Sequence, residues 1–377
     1  MKATLVYLCF FFSASLAFAQ AGIRQLGILP NEVTETSGLV FYKGHVLTHN
    51  DSGNEPHLFE IDTVSLEVLR TVRISNAENV DWEDMAQDAT YFYIGDFGNF
   101  NGDRRDLTVY RIAKSDYDAS DTVNADRIDF SYGDQTDFSP VQRSNWDAEA
   151  LATMGEELVI FTKQWQDRGS TAYAIPKVPG NHIARNLGNY PANGLITGAV
   201  YNPDTQILFL IGYNELLFPF TLRFSDSTVA SLFSSDPERT DLNIGFAQIE
   251  GIAFAGEGQY FISSERFVND NPPITTESRL FTFGIPVVTD EVDETPESGN
   301  ELRLYRSLGS RDLGYELRTE QRVFGRAIFD ALGRRITFTQ GDRISGNTVD
   351  VSGLGAAIYY LTFYLDGDIL SKPFVLD

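Results

Sequence analysis

Val80-Asp81-Trp82-Glu83-Asp84-Met85-Ala86 decides how the chain is read, because four other stretches share its shape. They are Thr34-Glu35-Thr36-Ser37-Gly38-Leu39, Trp146-Asp147-Ala148-Glu149-Ala150-Leu151, Leu195-Ile196-Thr197-Gly198-Ala199 and Gln248-Ile249-Glu250-Gly251-Ile252. In a strand, residues two apart share a face and the residue between them points the other way. Glu35/Ser37, Asp81/Glu83, Asp147/Glu149, Leu195/Thr197 and Gln248/Glu250 therefore pair on one side. Thr36, Trp82, Ala148, Ile196 and Ile249 face the other. A polar pair that recurs once per repeat predicts strands around a shared axis, with Glu35, Asp81, Glu83, Asp147, Glu149 and Glu250 forming an acidic ring.

Short runs of Val, Ile, Leu, Phe and Tyr follow each stretch, broken by Gly, Asn, Asp and Pro, with no long apolar stripe at helical spacing. The second repeat continues with Tyr91-Phe92-Tyr93-Ile94, Leu107 to Ile112 and Arg127 to Phe130; the others continue in kind. Three or four strands per unit is the anatomy of a propeller blade. The expected fold class is all-β, a β-propeller over residues 22–286. Five blades are legible; six is the alternative, because the span from Lys114 to Asn145 has room for further strands. The fifth repeat lacks a last strand, and Gly22 to Ile28 is placed to supply it, closing the ring and removing exposed edges.

Residues 1–19 read as a secretory signal peptide: Lys2, an apolar run from Leu5 to Phe12, and Ala17-Phe18-Ala19 as a small-x-small cleavage site. Cys9, the only cysteine, lies in this leader, so the mature chain is expected to have neither disulfides nor thiolate chemistry. A formal net charge of −24 argues against nucleic acid and anionic membranes, and suits solubility, cations or basic ligands. No later run reaches a membrane-spanning length. Residues 287–300, acidic and nearly without apolar side chains, read as a linker, and residues 301–377 as a small β-sandwich.

That last segment carries Ile328-Phe329-Asp330-Ala331-Leu332-Gly333-Arg334-Arg335-Ile336, Val349-Asp350-Val351-Ser352-Gly353-Leu354, Ala357 to Leu361, Asp366-Gly367 and Lys372-Pro373-Phe374-Val375-Leu376. In order and spacing it resembles the C-terminal sorting domain of type IX secretion cargo in the Bacteroidota. Ala357 stands where that family usually has Gly, and no Pro-Asn-Pro opens the domain. The resemblance implies export by the type IX machinery, through the periplasm to the outside or the outer-membrane surface. The body resembles secreted β-propellers found in front of such tails, on Thr48 to Asn54, Asp81 to Asp84, Gly95 to Asn99, Asp147 to Leu151 and Glu250 to Ile252. It is more distantly similar to propellers named for phytase-like esterase activity. Fold does not carry function, so neither resemblance fixes a reaction.

Converging like charges need a cation, a shared proton or a hydrated channel. With few histidines and no mature cysteine, a hard cation such as Ca²⁺ fits best, with Asp81, Glu83, Glu149 and Glu250 as the expected ligands. The plainer alternative is carboxylates that cap strand ends across a wet channel. Asp84 stands where the other repeats have Gly or Ala and is expected to bond a nearby backbone. His49, Asp51 and Asp96, at the ends of second strands, complete the expected ligand-binding set, and Glu265 has a similar place. Asn99, Asn101 and Asp103 alternate like calcium-loop ligands, but Arg104 replaces the required Gly, so tight turns are expected. No Gly-x-Ser-x-Gly elbow or His-Glu-x-x-His occurs. The leading expectation is a cation- or ligand-binding module; the alternative is a metal-assisted esterase or phosphoesterase using the same carboxylates, with His49 as general base.

Overall fold

In the computed structural model the chain is all-β, with one α-helix, Lys114–Ala119, among the described residues. These are residues 23–256, 258–270, 273–284, 300–305, 312–319, 321–330, 335–355, 357–365 and 368–376. The expected leader with Cys9, all of the linker but Asn300, and the tail positions 331–334 and 366–367 lie outside them. The chain divides into two compact units between Val287 and Val288. No helix among the described residues is long and apolar enough to cross a membrane.

In the first unit each repeated stretch opens an inner strand: Thr36–Tyr42, Trp82–Gln87, Ala148–Met154, Leu195–Asn202 and Ile249–Gly256. Each pairs antiparallel with a second strand: His45–Asn50, Tyr91–Asp96, Glu157–Thr162, Ile207–Tyr213 and Gln259–Ser264. A third and an outer strand complete each sheet. The inner strands pack side by side in chain order, and the fifth packs against the first, so the row closes into a circle. Arg24–Ile28 is the outer strand of the fifth sheet, pairing Arg24 with Thr282 and Gln25 with Phe281. The first and last strands of this unit thus meet in one sheet, as Gly22 to Ile28 had suggested.

The span from Lys114 to Asn145 holds the helix, the two-residue strand Thr122–Val123 and the outer strand Asp126–Tyr132, but no further sheet. Asp126–Tyr132 also runs parallel to Gly180–Tyr190, tying the second sheet to the third. The architecture is compatible with a β-propeller.

Apolar layers separate neighbouring sheets. Leu158 and Ile160 face the second sheet, while Val159 and Phe161, one residue on, face the fourth. Leu208 and Leu210 face the third sheet, Phe209 and Ile211 the fifth. Strands covered on both faces must be apolar at successive positions, which is why these runs show no alternation. Each large side chain so buried contributes roughly 1.5–3 kcal/mol.

The second unit, described by itself, has two sheets. Glu301–Tyr305, Asp312–Arg318 and Thr348–Asp350 form one; Arg335–Gln340, Val323–Asp330, Ala357–Leu365 and Asp368–Leu376 form the other. Leu313 and Tyr315 from the first share an apolar core with Ile328, Leu361 and Phe363 from the second.

Candidate metal and ligand site

Alternation alone does not place the repeated carboxylates. The pairing between each inner strand and its neighbour slips at the same place: between Thr36 and Leu39, Trp82 and Met85, Ala148 and Ala150, Ile196 and Gly198, and Ile249 and Gly251. Ser37, Glu83, Glu149, Thr197 and Glu250 all fall inside these β-bulges. A bulge leaves a residue outside the ladder and re-aims its side chain, here toward one end of the circle. Ser37 Oγ donates to the carbonyl of Glu83, and Thr197 Oγ1 to that of Ile249 at 2.5 Å, each bridging adjacent inner strands.

The strands also approach closely there. A Cβ on Gly38 would lie 2.3 Å from the Met85 nitrogen, and one on Gly251 2.5 Å from the Ser37 oxygen, so only glycine fits. The second repeat has Asp84 at that position, fully buried. Its Oδ1 accepts from Met85 N at 2.7 Å, and its Oδ2 from Leu151 N at 2.8 Å and Ala199 N at 3.2 Å. Asp84 thereby ties three inner strands together, as its departure from Gly and Ala had suggested.

Beyond it, a cavity of about 230 Å³ is lined by Asp51, Asp81, Glu83, Asp147, Glu149, Glu250 and Glu265, with Ser37, Gln248, Phe100, Trp165, Tyr213 and Lys163. Lys163 is the one basic side chain in the lining. Only 5% exposed, it sits 3.1 Å from Glu149 and over the Trp165 and Tyr213 rings at 4.8 and 5.5 Å. Asp147 accepts from Asn99 N at 2.5 Å and from Trp165 Nε1 at 2.7 Å, and Tyr213 donates to Glu250 at 3.4 Å. Glu83 differs: it is 7% exposed, and among the described residues no group donates to its carboxylate. A Cβ on Gly98 would lie 2.3 Å from Glu83 Oε1 and 2.4 Å from the Asp81 carboxylate, so that glycine leaves both oxygens room.

Burial and mutual repulsion raise these acids above their ordinary range. Desolvation, then Asp51 and Asp147, lifts Asp81 to about 7. Desolvation lifts Asp51 to about 6, and Glu250 to about 7 against the opposing pull of Lys163. Glu83, Glu149 and Glu265 are pushed well up, chiefly by desolvation. Two triads, Asp51-Asp81-Glu83 and Glu83-Asp147-Glu149, bring ligand oxygens within 4.8 Å of one another. Oxygens on one Ca²⁺ lie at most about 5 Å apart, so these carboxylates could hold a metal ion.

Of the expected metal ligands, Asp81, Glu83 and Glu149 join these triads and Glu250 does not, although it lines the same cavity; Asp51 and Asp147 take its place. Glu35 is outside the lining and accepts from Asn54 at 2.6 Å. Asp96 is not brought to the site. It accepts from Val80 N and Asp81 N and pairs with Arg104 at 2.9 Å, in a separate polar cavity. The backbone explains this. Asp51 N, Phe97 N, Lys163 N and Glu265 N each donate to the carbonyl of the residue before an inner strand: Glu35, Asp81, Asp147 and Gln248. Phe97 is therefore the counterpart of Asp51, and Asp96, one residue earlier, faces away. The same equivalence bears out Glu265 and was the signal that could have found Lys163.

His49 is a correction. It is no rim base but a fully buried ring, edge-on to Trp82 at 5.4 Å, and burial lowers it to about 4. Gly102 N donates to the Asn99 carbonyl at 2.8 Å, a tight turn as expected, and Arg104 N donates to the Asn99 side-chain oxygen at 3.0 Å.

No family model matches the chain and no curated protein matches it. Among solved structures it is similar to apo AztD from Citrobacter koseri, with a TM-score of 0.31 and 8% identity over 83% of this chain and 88% of that one. The functional reading rests on the site.

Proposed function

We propose that the first unit is a five-bladed β-propeller whose acidic cleft binds a hard divalent cation, Ca²⁺ being the best fit, in a secreted or cell-surface binding protein. The carrying observation is Glu83, a carboxylate shared by both triads, nearly buried and without a donor. A buried carboxylate left without a hydrogen bond or counter-charge is costly, and a cation coordinated by Asp51, Asp81, Glu83, Asp147 and Glu149 removes that cost. An all-oxygen donor set favours Ca²⁺, which accepts six to eight oxygens in loose geometry.

A ligand bound only by the folded state adds roughly 2.7 kcal/mol at a hundredfold excess over Kd. The melting temperature should therefore rise with calcium and fall with chelator, and Glu83→Gln should blunt the response while the fold persists. If calcium, magnesium and chelator all leave melting unmoved, the cleft is a protonated, solvated cluster and the reading fails.

The lining also supports a second reading. Lys163, Trp165 and Tyr213 flank the carboxylates, leaving polar and aromatic contacts for a small organic molecule beside an ion. A metal-assisted hydrolase would use them to orient an ester or phosphoester. Turnover of such substrates by the wild type, lost in Glu149→Gln, would favour it; inactivity across the panel with intact calcium binding would leave the binding module.

For the second unit we propose a β-sandwich sorting domain recognised by the type IX machinery, on the tail motifs and the shared core of its two sheets. Removing everything after Asn300 should strand the propeller in the periplasm; normal export of that truncation would refute the assignment.

A further inference from the structure

The circle of inner strands has a second end. There a cavity of about 390 Å³ is lined by Leu39, Met85, Leu151, Ala199 and Ile252, one nearly buried residue from each inner strand, with the more exposed Val200 and Tyr201 beside them. Asp84, bonded to Met85, Leu151 and Ala199, lies between this lining and the acidic cleft. Phe41 and Phe254 extend the apolar wall. The volume and lining are those of a small-molecule site: mostly apolar, with few polar groups.

The charged groups at the mouth are unequal. Asp88 accepts from Thr90 N, Tyr91 N, Tyr93 Oη and Lys177, so its oxygens are fully engaged. Lys43 is paired with Asp118 at 2.8 Å. Lys114 is half-buried, over the Tyr42 and Phe92 rings, and its ammonium meets only neutral acceptors: Gln87 Oε1 at 2.8 Å and the Asp88 carbonyl at 2.6 Å. No carboxylate among the described residues pairs with it. Desolvation holds it below its ordinary range against the pull of the Asp88 and Asp118 carboxylates, which are near it but bonded to other groups.

We infer that this end binds a small amphipathic carboxylate, its apolar body on a floor of Phe41, Val200 and Phe254 and its anionic head on Lys114. The chemistry is that of an aryl or short acyl acid. An ammonium needs an anion, and the floor offers a ligand's body nothing but apolar contact. The site is independent of the cation reading, because it shares no lining residue with the acidic cleft.

The test titrates the full-length protein with 2-naphthoate, 2-naphthylmethanol and 2-naphthylmethylamine, following binding by calorimetry. The carboxylate should bind best. Lys114→Met should weaken it by roughly tenfold, the worth of a charge-assisted contact. Thr153→Trp, narrowing the cavity, should abolish binding, with circular dichroism and a cooperative thermal melt verifying that each variant is folded. If a variant fails to fold, the ranking of the three probes on the wild type decides. No binding of naphthoate at millimolar concentration, equal binding of the alcohol or amine, or binding that survives both substitutions would overturn the assignment.

Discussion

The two ends of the inner circle are built from the same five strands and have opposite chemistry. At the end where the strands begin, bulges throw Glu83, Glu149 and Glu250 out of the ladder beside Asp51, Asp81, Asp147 and Glu265. Two residues on, pairing is regular again and Leu39, Met85, Leu151, Ala199 and Ile252 pack into the apolar layers between sheets. Ladder regularity, rather than composition, separates an end crowded with carboxylates from one whose charges, Lys43, Asp88 and Lys114, stand at the mouth. Asp84 sits at the changeover, a carboxylate used as a structural acceptor, while its neighbour Glu83 has no donor among the described residues.

Removing that divider should have the largest effect. Asp84→Ala leaves three buried N–H groups without an acceptor, at about 1–3 kcal/mol each. Chemical denaturation should register a loss of roughly 3–5 kcal/mol, and the calcium response should weaken with it. A loss below about 1 kcal/mol would mean that the two ends need no such divider.

A pH series without metal probes the acidic end alone. Asp81 and Glu250, raised to about 7, and Asp51, raised to about 6, hold protons that the unfolded chain releases near pH 4. Between those limits these three groups bind more protons folded than unfolded, so their contribution to stability falls as pH rises from about 4 to about 7, opposed by buried His49, lowered to about 4, whose contribution rises. A decline of roughly 2–3 kcal/mol is expected after allowance for screening. Calcium, by favouring the ionised forms, should flatten the slope. A slope unchanged by calcium would sharpen the contrast differently, making the acidic end a proton store rather than a cation site.

The smallest effect belongs to the apolar end. Gln87 donates to the Phe41 carbonyl at 2.7 Å and accepts from Lys114 at 2.8 Å. Gln87→Ala should cost about 1 kcal/mol and leave both the calcium response and the pH slope as in the wild type. Thermal melts with and without calcium would check this; a changed calcium shift would show that the two ends communicate through the circle.

Much of this was legible in the sequence. Five repeats of one motif, polar-x-polar in all but Leu195-Ile196-Thr197, announced five inner strands, and the missing last strand of the fifth repeat pointed to Arg24–Ile28. Continuous apolar runs such as Leu158 to Phe161 signalled strands buried on both faces. Asp84 stood out because its repeat partners are Gly and Ala. These features were readable because strand period and repeat period are local properties of the chain. Membership in the site was not. Asp96 and Asp51 look alike in sequence, yet a one-residue offset in strand register sends Asp96 to Arg104. His49 is two residues from Asp51 and lies in the core beside Trp82. Lys163 and Trp165 meet Glu149 and Asp147 of their own sheet just past its second strand, whereas Tyr213 reaches Glu250 only because neighbouring sheets converge on one axis. Repetition determined the strands and their polar ends; bulge position, register and closure, which depend on contacts across the whole ring, decided which charges meet.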